Sequence, residues 1–88
     1  MIRKHVFIKG KVTGVFFRAF IREKALDLGL NGWVRNLDRN TVEAVFEGVK
    51  EKVNKMLEYC KKGPSHAIIE DIEVKDEKVE GEMGFVVR

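Results

Sequence analysis

The sequence predicts an α+β fold, a ferredoxin-like sandwich with two helices on one face of an antiparallel sheet. Three observations predict it. Short segments alternate apolar and polar residues, while two longer segments repeat apolar residues at helical spacing. These segments follow one another as β-α-β-β-α-β, with a short terminal strand at the end. The 88 residues, 44% hydrophobic and 35% charged, hold material for a single core, so one domain is expected over 1–88.

Residues 3–9 read as the first strand, with Val6, Phe7 and Ile8 at its centre. Gly10 and Gly14 bracket a loop over 10–17. Phe17, Ile21, Ala25 and Leu28 then recur on one face of a helix, and Gly29 stands at its C-terminal stop. Residues 30–36 and 41–47 are two strands joined at the polar turn Asp38-Arg39-Asn40. Val49, Val53, Met56, Leu57 and Cys60 make a second helical stripe over 49–62. Lys61 and Lys62 suit its negative end, and Gly63-Pro64 stops it. A fourth strand covers 67–75, with Ile68, Ile72 and Val74 on one face. Residues 76–82 are charged and read as mobile, and 84–88 end the chain as a short strand. Right-handed crossovers place the first and third strands in the middle of the sheet.

Composition narrows the functional classes. The chain has 17 Lys and Arg against 14 Asp and Glu, a net charge of +3. This mild excess suits a small anionic ligand better than a nucleic-acid groove. The single Cys60 excludes an intramolecular disulfide and a thiolate zinc cluster, and His5 and His66 are far apart in sequence. No metal and no cofactor is expected. No apolar run approaches the ~20 residues of a membrane span, and the first residues carry no leader pattern. The expectation is a soluble, cytoplasmic protein that binds no membrane and, with no extra apolar stripe beyond the two helix faces, stays monomeric.

The segment Gly10-Lys11-Val12-Thr13-Gly14-Val15-Phe16-Phe17-Arg18 leaves a strand and enters a helix. A loop so placed can turn backbone N–H groups inward beside the positive end of a helix and so form an anion cradle. Arg18 at the helix start can grip the same anion with its planar fork. An ordinary strand-to-helix turn with an exposed arginine satisfies the same spacing. It has neither P-loop nor dinucleotide-binding spacing.

That segment resembles the acylphosphatase signature Gly-x-Val-Gln-Gly-Val-x-Phe-Arg. Gly10, Val12, Gly14, Val15, Phe17 and Arg18 match it, and Thr13 stands in place of Gln. A second family segment, Gly-aromatic-Val-x-Asn-x-x-x-Gly-x-Val and then Gly after five more residues, is similar too. Gly32, Trp33, Val34, Asn36, Val42 and Gly48 match, while Asn40 replaces a Gly. Gly63-Pro64 resembles the family's Gly-Pro. Asn40 suits a left-handed turn position. Thr13 keeps its backbone N–H but loses a long amide. Phe16 is bulky where small residues are frequent in the family, and is expected to narrow or cover the pocket mouth.

The resemblance implies metal-independent hydrolysis of a small-molecule acyl phosphate to a carboxylate and inorganic phosphate. It maps phosphate binding to Thr13, Gly14, Val15, Phe16, Phe17 and Arg18, and catalysis to Arg18 and Asn36. Asn36 would orient the attacking water; read without the family, it is a turn former. The leaving carboxylate has a pKa near ~4 and needs no strong general acid. Cys60 is expected to be a buried inert thiol, Trp33 a packing residue, and Arg35 and Lys11 solvated charges. The rivals are a non-catalytic anion-sensing domain and an RNA-binding module of the same fold. RNA binding wants alternating aromatics on the third strand, and Thr41-Val42-Glu43-Ala44-Val45-Phe46-Glu47 offers one aromatic and two carboxylates. The short chain favours a free-standing enzyme over the acylphosphatase-like segment of large carbamoyl-transfer maturation proteins.

Overall fold

In chain order the elements are β1 (Ile2–Lys11), α1 (Val15–Asp27), β2 (Asn31–Asp38), β3 (Thr41–Gly48), α2 (Lys50–Lys62), β4 (Ile68–Glu77) and β5 (Phe85–Val87). They are taken from a computed structural model that describes all 88 residues apart from the side chain of Val15. The sheet order is β4-β1-β3-β2-β5, so β1 and β3 take the middle as expected. The first four strands pair antiparallel, but β5 runs parallel to β2. The sheet is therefore mixed, and the all-antiparallel expectation is corrected. The reason is connectivity. The chain leaves β4 at one edge, crosses beneath the end of the sheet, and starts β5 at the opposite edge, so β5 rises alongside β2.

One sheet face packs on the helices. Val6 and Ile8 of β1, Val34 of β2, and Val42, Ala44 and Phe46 of β3 meet Phe17, Ile21 and Ala25 of α1 and Val53, Met56 and Cys60 of α2. Each large side chain buried there contributes roughly 1.5–3 kcal/mol. Burial pushes the Cys60 thiol up to about 12, which makes it the inert thiol expected. The α1 stop at Gly29 is a Schellman turn. Gly29, at φ +69, donates its N–H to the Leu26 carbonyl at 3.0 Å, and Leu30 donates to that of Ala25 at 2.9 Å.

Two sequence expectations fail for physical reasons. In β4 the register against β1 slips between Lys9 and Gly10, a bulge that changes side-chain parity. Ile69 therefore joins Ile72 against the core, and Ile68 is left exposed. Residues 76–82 are also tied down rather than mobile. Asp76 and Glu77 extend β4, and the backbone N–H groups of Glu80, Gly81 and Glu82 donate to the buried Glu47 carboxylate at 2.7, 3.1 and 2.8 Å.

Glu47 belongs to a charged network on the face without helices. Arg3, 6% exposed, donates to Glu47 and Glu77 at 2.8 Å and to Glu82 at 2.9 Å. The His5 ring bridges Glu77 and Glu43, and Arg35 donates to Glu43 at 2.5 Å, so Arg35 is paired rather than simply solvated. Trp33 packs on this same face, beneath the guanidinium of Arg88 at 4.3 Å.

Burial alone would raise the Glu47 carboxyl, but the Glu80 N–H, Arg3 and the Glu82 N–H outweigh it and hold the carboxyl below its usual range. Arg3 and His5 lower Glu77, and Arg35 and His5 lower Glu43 against its burial. A depressed folded pKa gives stability that is full above the unfolded carboxyl value, about 4.3, and is lost as pH falls through the folded value. The thermal midpoint should stay level from neutral pH to about 5, then fall steeply below about 4. Glu47→Gln should lower the midpoint at pH 7 and flatten part of that acid limb. Melting curves of both proteins across pH test this, and an acid limb unchanged in Glu47→Gln would contradict it.

Candidate active site

Beyond Lys11 the chain leaves the sheet, turns, and enters α1 at Val15. The turn rests on Gly14, the residue before the helix, at φ 119 and ψ 168. That region is open to glycine alone. A Cβ at Gly14 would meet nothing within 4 Å, so the backbone angle, not space, demands glycine. No side chain among the described residues caps the helix, and its first turn holds no acidic residue. The first-turn N–H groups have no helical acceptors, and the positive end of the helix faces the loop.

Arg18 follows one turn into α1. Phe17 is buried in the core and fixes the start of the helix. Arg18 itself is half-buried, and its Nε is buried with no hydrogen-bond partner among the described residues. A buried unpaired donor costs about 1–3 kcal/mol, and more when charged, unless a guest accepts from it. Arg18 lines a cleft of about 490 Å³ together with Arg22 and Val87.

Asn36 is exposed on β2 and follows Gly32 and Val34 on alternate positions. Val34 pairs with Val87, the residue at the Arg18 cleft, and its carbonyl accepts the Arg88 N–H at 2.8 Å. Asn36 thus stands one same-face step, about 7 Å, past the point where β5 stops covering the β2 edge. A register shift between Asn36 and Asp38 leaves Leu37 without an opposite residue on β3. The turn lies farther on. The Asp38 side chain accepts the Asn40 N–H at 2.9 Å, so Asp38 shapes the turn and Asn36 does not. Among the described residues no non-glycine residue has a positive φ, so Asn40 is not in the left-handed conformation expected of it.

Among the described residues, two hydrogen bonds join the end of β1 and the loop after it to this hairpin. Gly10 donates its N–H to the Asn40 carbonyl at 2.9 Å, and the Thr13 hydroxyl donates to the Arg39 carbonyl at 2.8 Å. The loop and the Asn36 hairpin are therefore neighbours. The other predicted residues divide. Thr13, Gly14, Phe16 and Phe17 line a groove of about 320 Å³ whose far wall is the turn 64–67. Arg18 faces the cleft, and Asn36 lines neither hollow. The Val15 side chain lies outside the described residues. Phe16 is 89% exposed at the groove, so it forms a wall there rather than a cover. His66 and Lys11 share the groove. The sequence signalled the approach of His66 only through the neighbouring Gly63-Pro64 pair.

An uncapped helix N-terminus and an unpaired guanidinium are groups of the kind that attract a small anion, and here they line separate hollows. Among the described residues, no group of three His, Cys, Asp or Glu side chains could hold a metal ion. Among the described residues, no helix is long and apolar enough to cross a membrane.

Comparison with known proteins bears on the chemistry. The Acylphosphatase family model matches residues 4–87. An acylphosphatase of Syntrophus aciditrophicus is 55% identical over 82 residues, covering 93% of this chain and 85% of that protein. One of Haloarcula marismortui is 54% identical over 86 residues, covering 98% and 94%. Among solved structures, the acylphosphatase from Bacillus subtilis superposes with a TM-score of 0.95 at 31% identity, over 100% of this chain and 99% of that one.

Proposed function

This chain belongs to the acylphosphatase family, hydrolases acting on acyl phosphates, and from that premise we propose how its own residues carry the reaction. The 13–18 loop amides and the Arg18 guanidinium hold the phosphoryl group. Asn36, across the joined hairpin, orients a water in line with the scissile bond. The observation that carries this reading is the buried Arg18 Nε with no partner, on a helix whose N-terminus no side chain caps.

The chemistry asks little more. An acyl phosphate is an activated anhydride with a leaving carboxylate of pKa near ~4, so it departs without a strong acid. What remains is to neutralise the phosphoryl oxygens and to position the nucleophile. Backbone N–H groups and a guanidinium do the first at no cost in reorganisation. The Asn36 carboxamide offers both a donor and an acceptor to water and does not titrate. The attacking oxygen forms its bond to phosphorus as the bond to the carboxylate oxygen breaks; that carboxylate leaves with the electron pair, and the protons of the water stay with the inorganic phosphate or pass to solvent. The reading includes a cytoplasmic monomer that needs no metal. RNA binding is disfavoured, since β3 gives the open sheet face Glu43 and Glu47, while its Phe46 is buried in the core beneath the helices.

Phosphate release from a generic acyl phosphate, with and without chelator, tests the reading. Turnover should be unchanged by chelator, and phosphate monoesters should be far poorer substrates, because their alkoxide leaving groups need an acid. Activity that vanished with chelator and returned with a divalent metal would overturn the scheme. Phosphate binding without turnover would instead favour an anion-sensing domain.

A further inference from the structure

Thr13 stands where the family motif carries glutamine, so its hydroxyl has no counterpart in the signature. That hydroxyl donates to the Arg39 carbonyl at 2.8 Å, on the turn that follows Asn36. A second bond nearby, from the Gly10 N–H to the Asn40 carbonyl, joins the base of the loop to the same turn. The turn is itself stiffened by the Asp38 side chain. Among the described residues, the turn is thus tied to the end of β1 by main chain and to the loop after it by a single side chain.

From this geometry we infer that Thr13 is a positioning residue, a latch that fixes the Asn36 hairpin relative to the phosphate-binding loop. The inference rests on the proposed roles of the loop and Asn36. Its physical basis is the steep dependence of in-line attack on geometry, in which a shift of about 1 Å can cost a hundredfold. Loop amides and Arg18 bind phosphate with or without the latch. The distance from bound phosphorus to the water on Asn36 is what the latch controls. Its loss therefore acts on kcat and spares phosphate affinity. The Gly10 bond survives, so the loss is partial.

Thr13→Val keeps the shape and removes the hydroxyl, and Thr13→Ser keeps the hydroxyl and removes the methyl. Thr13→Val should lower kcat about fivefold to tenfold, the worth of one ordinary hydrogen bond. Inhibition by inorganic phosphate should stay within about twofold of wild type. Thr13→Ser should recover most of the lost rate, and Thr13→Ala should match Thr13→Val. The double variant Thr13→Val/Asn36→Ala should be no slower than Asn36→Ala alone, because a latch acting through Asn36 has nothing left to position.

A Thr13→Val enzyme with wild-type kcat overturns the latch, as does a Thr13→Ser enzyme as slow as Thr13→Val. Full additivity in the double variant also overturns it, since Thr13 would then act on its own. In each of these outcomes wild type still turns over and Asn36→Ala is still slow, so the reading of the site survives. A wild-type chain that releases no phosphate removes the reading and the latch together.

Discussion

Arg18→Ala is expected to lose both binding and rate, by about 3 kcal/mol or more in kcat/KM, since a charged contact that tightens in the transition state is removed. That is over a hundredfold. Arg18→Lys keeps the charge but not the planar fork, and a lysine ammonium cannot reproduce a guanidinium donating from Nε and a terminal nitrogen together. It should therefore also fail. The Nε is the atom the structure leaves buried and unpartnered. Folding should suffer little, because Arg18 is in none of the ion pairs found among the described residues. Steady-state kinetics with phosphate as inhibitor, together with a thermal midpoint, check this. An Arg18→Ala enzyme with near-normal turnover would take Arg18 out of the site.

Asn36→Ala is expected to fold normally, bind phosphate almost unchanged and lose roughly a hundredfold in kcat, the scale of lost orientation. Asn36→Asp is the sharper variant. It is nearly isosteric but sets a carboxylate beside an anionic substrate, so binding should weaken along with rate. A turn-forming Asn36 would predict instead that Asp is tolerated. The structure already speaks against that role, because the turn is held by Asp38, two residues on. A stable Asn36→Asp protein with near-wild-type kcat would end the water-positioning role.

What could be read from the sequence follows from which groups carry the signal. Helix faces are side-chain patterns, and Phe17, Ile21 and Ala25, like Val53, Met56 and Cys60, pack where their spacing placed them. Arg18 and Asn36 stood out as candidates because two motifs with fixed spacing contain them. The parallel β5 was not, since its direction depends on where the chain crosses, not on its own residues. The Ile68 to Ile69 exchange was hidden because a bulge shifts parity without a marker residue. Residues 76–82 look solvated because they are charged. They are held by backbone N–H groups on one buried carboxylate, a pairing no side-chain pattern reports. The Thr13 bond was illegible for the same reason, as its acceptor is the main-chain carbonyl of Arg39.

The central claim is a division of labour, with phosphate on the loop and Arg18 and water on Asn36. The inhibition constant of inorganic phosphate, measured side by side for wild type, Arg18→Ala and Asn36→Ala, tests it most directly. The account predicts a large rise for Arg18→Ala and a value within about twofold of wild type for Asn36→Ala, despite its lost kcat. An unchanged constant in Arg18→Ala, or an equal rise in both variants, would contradict it.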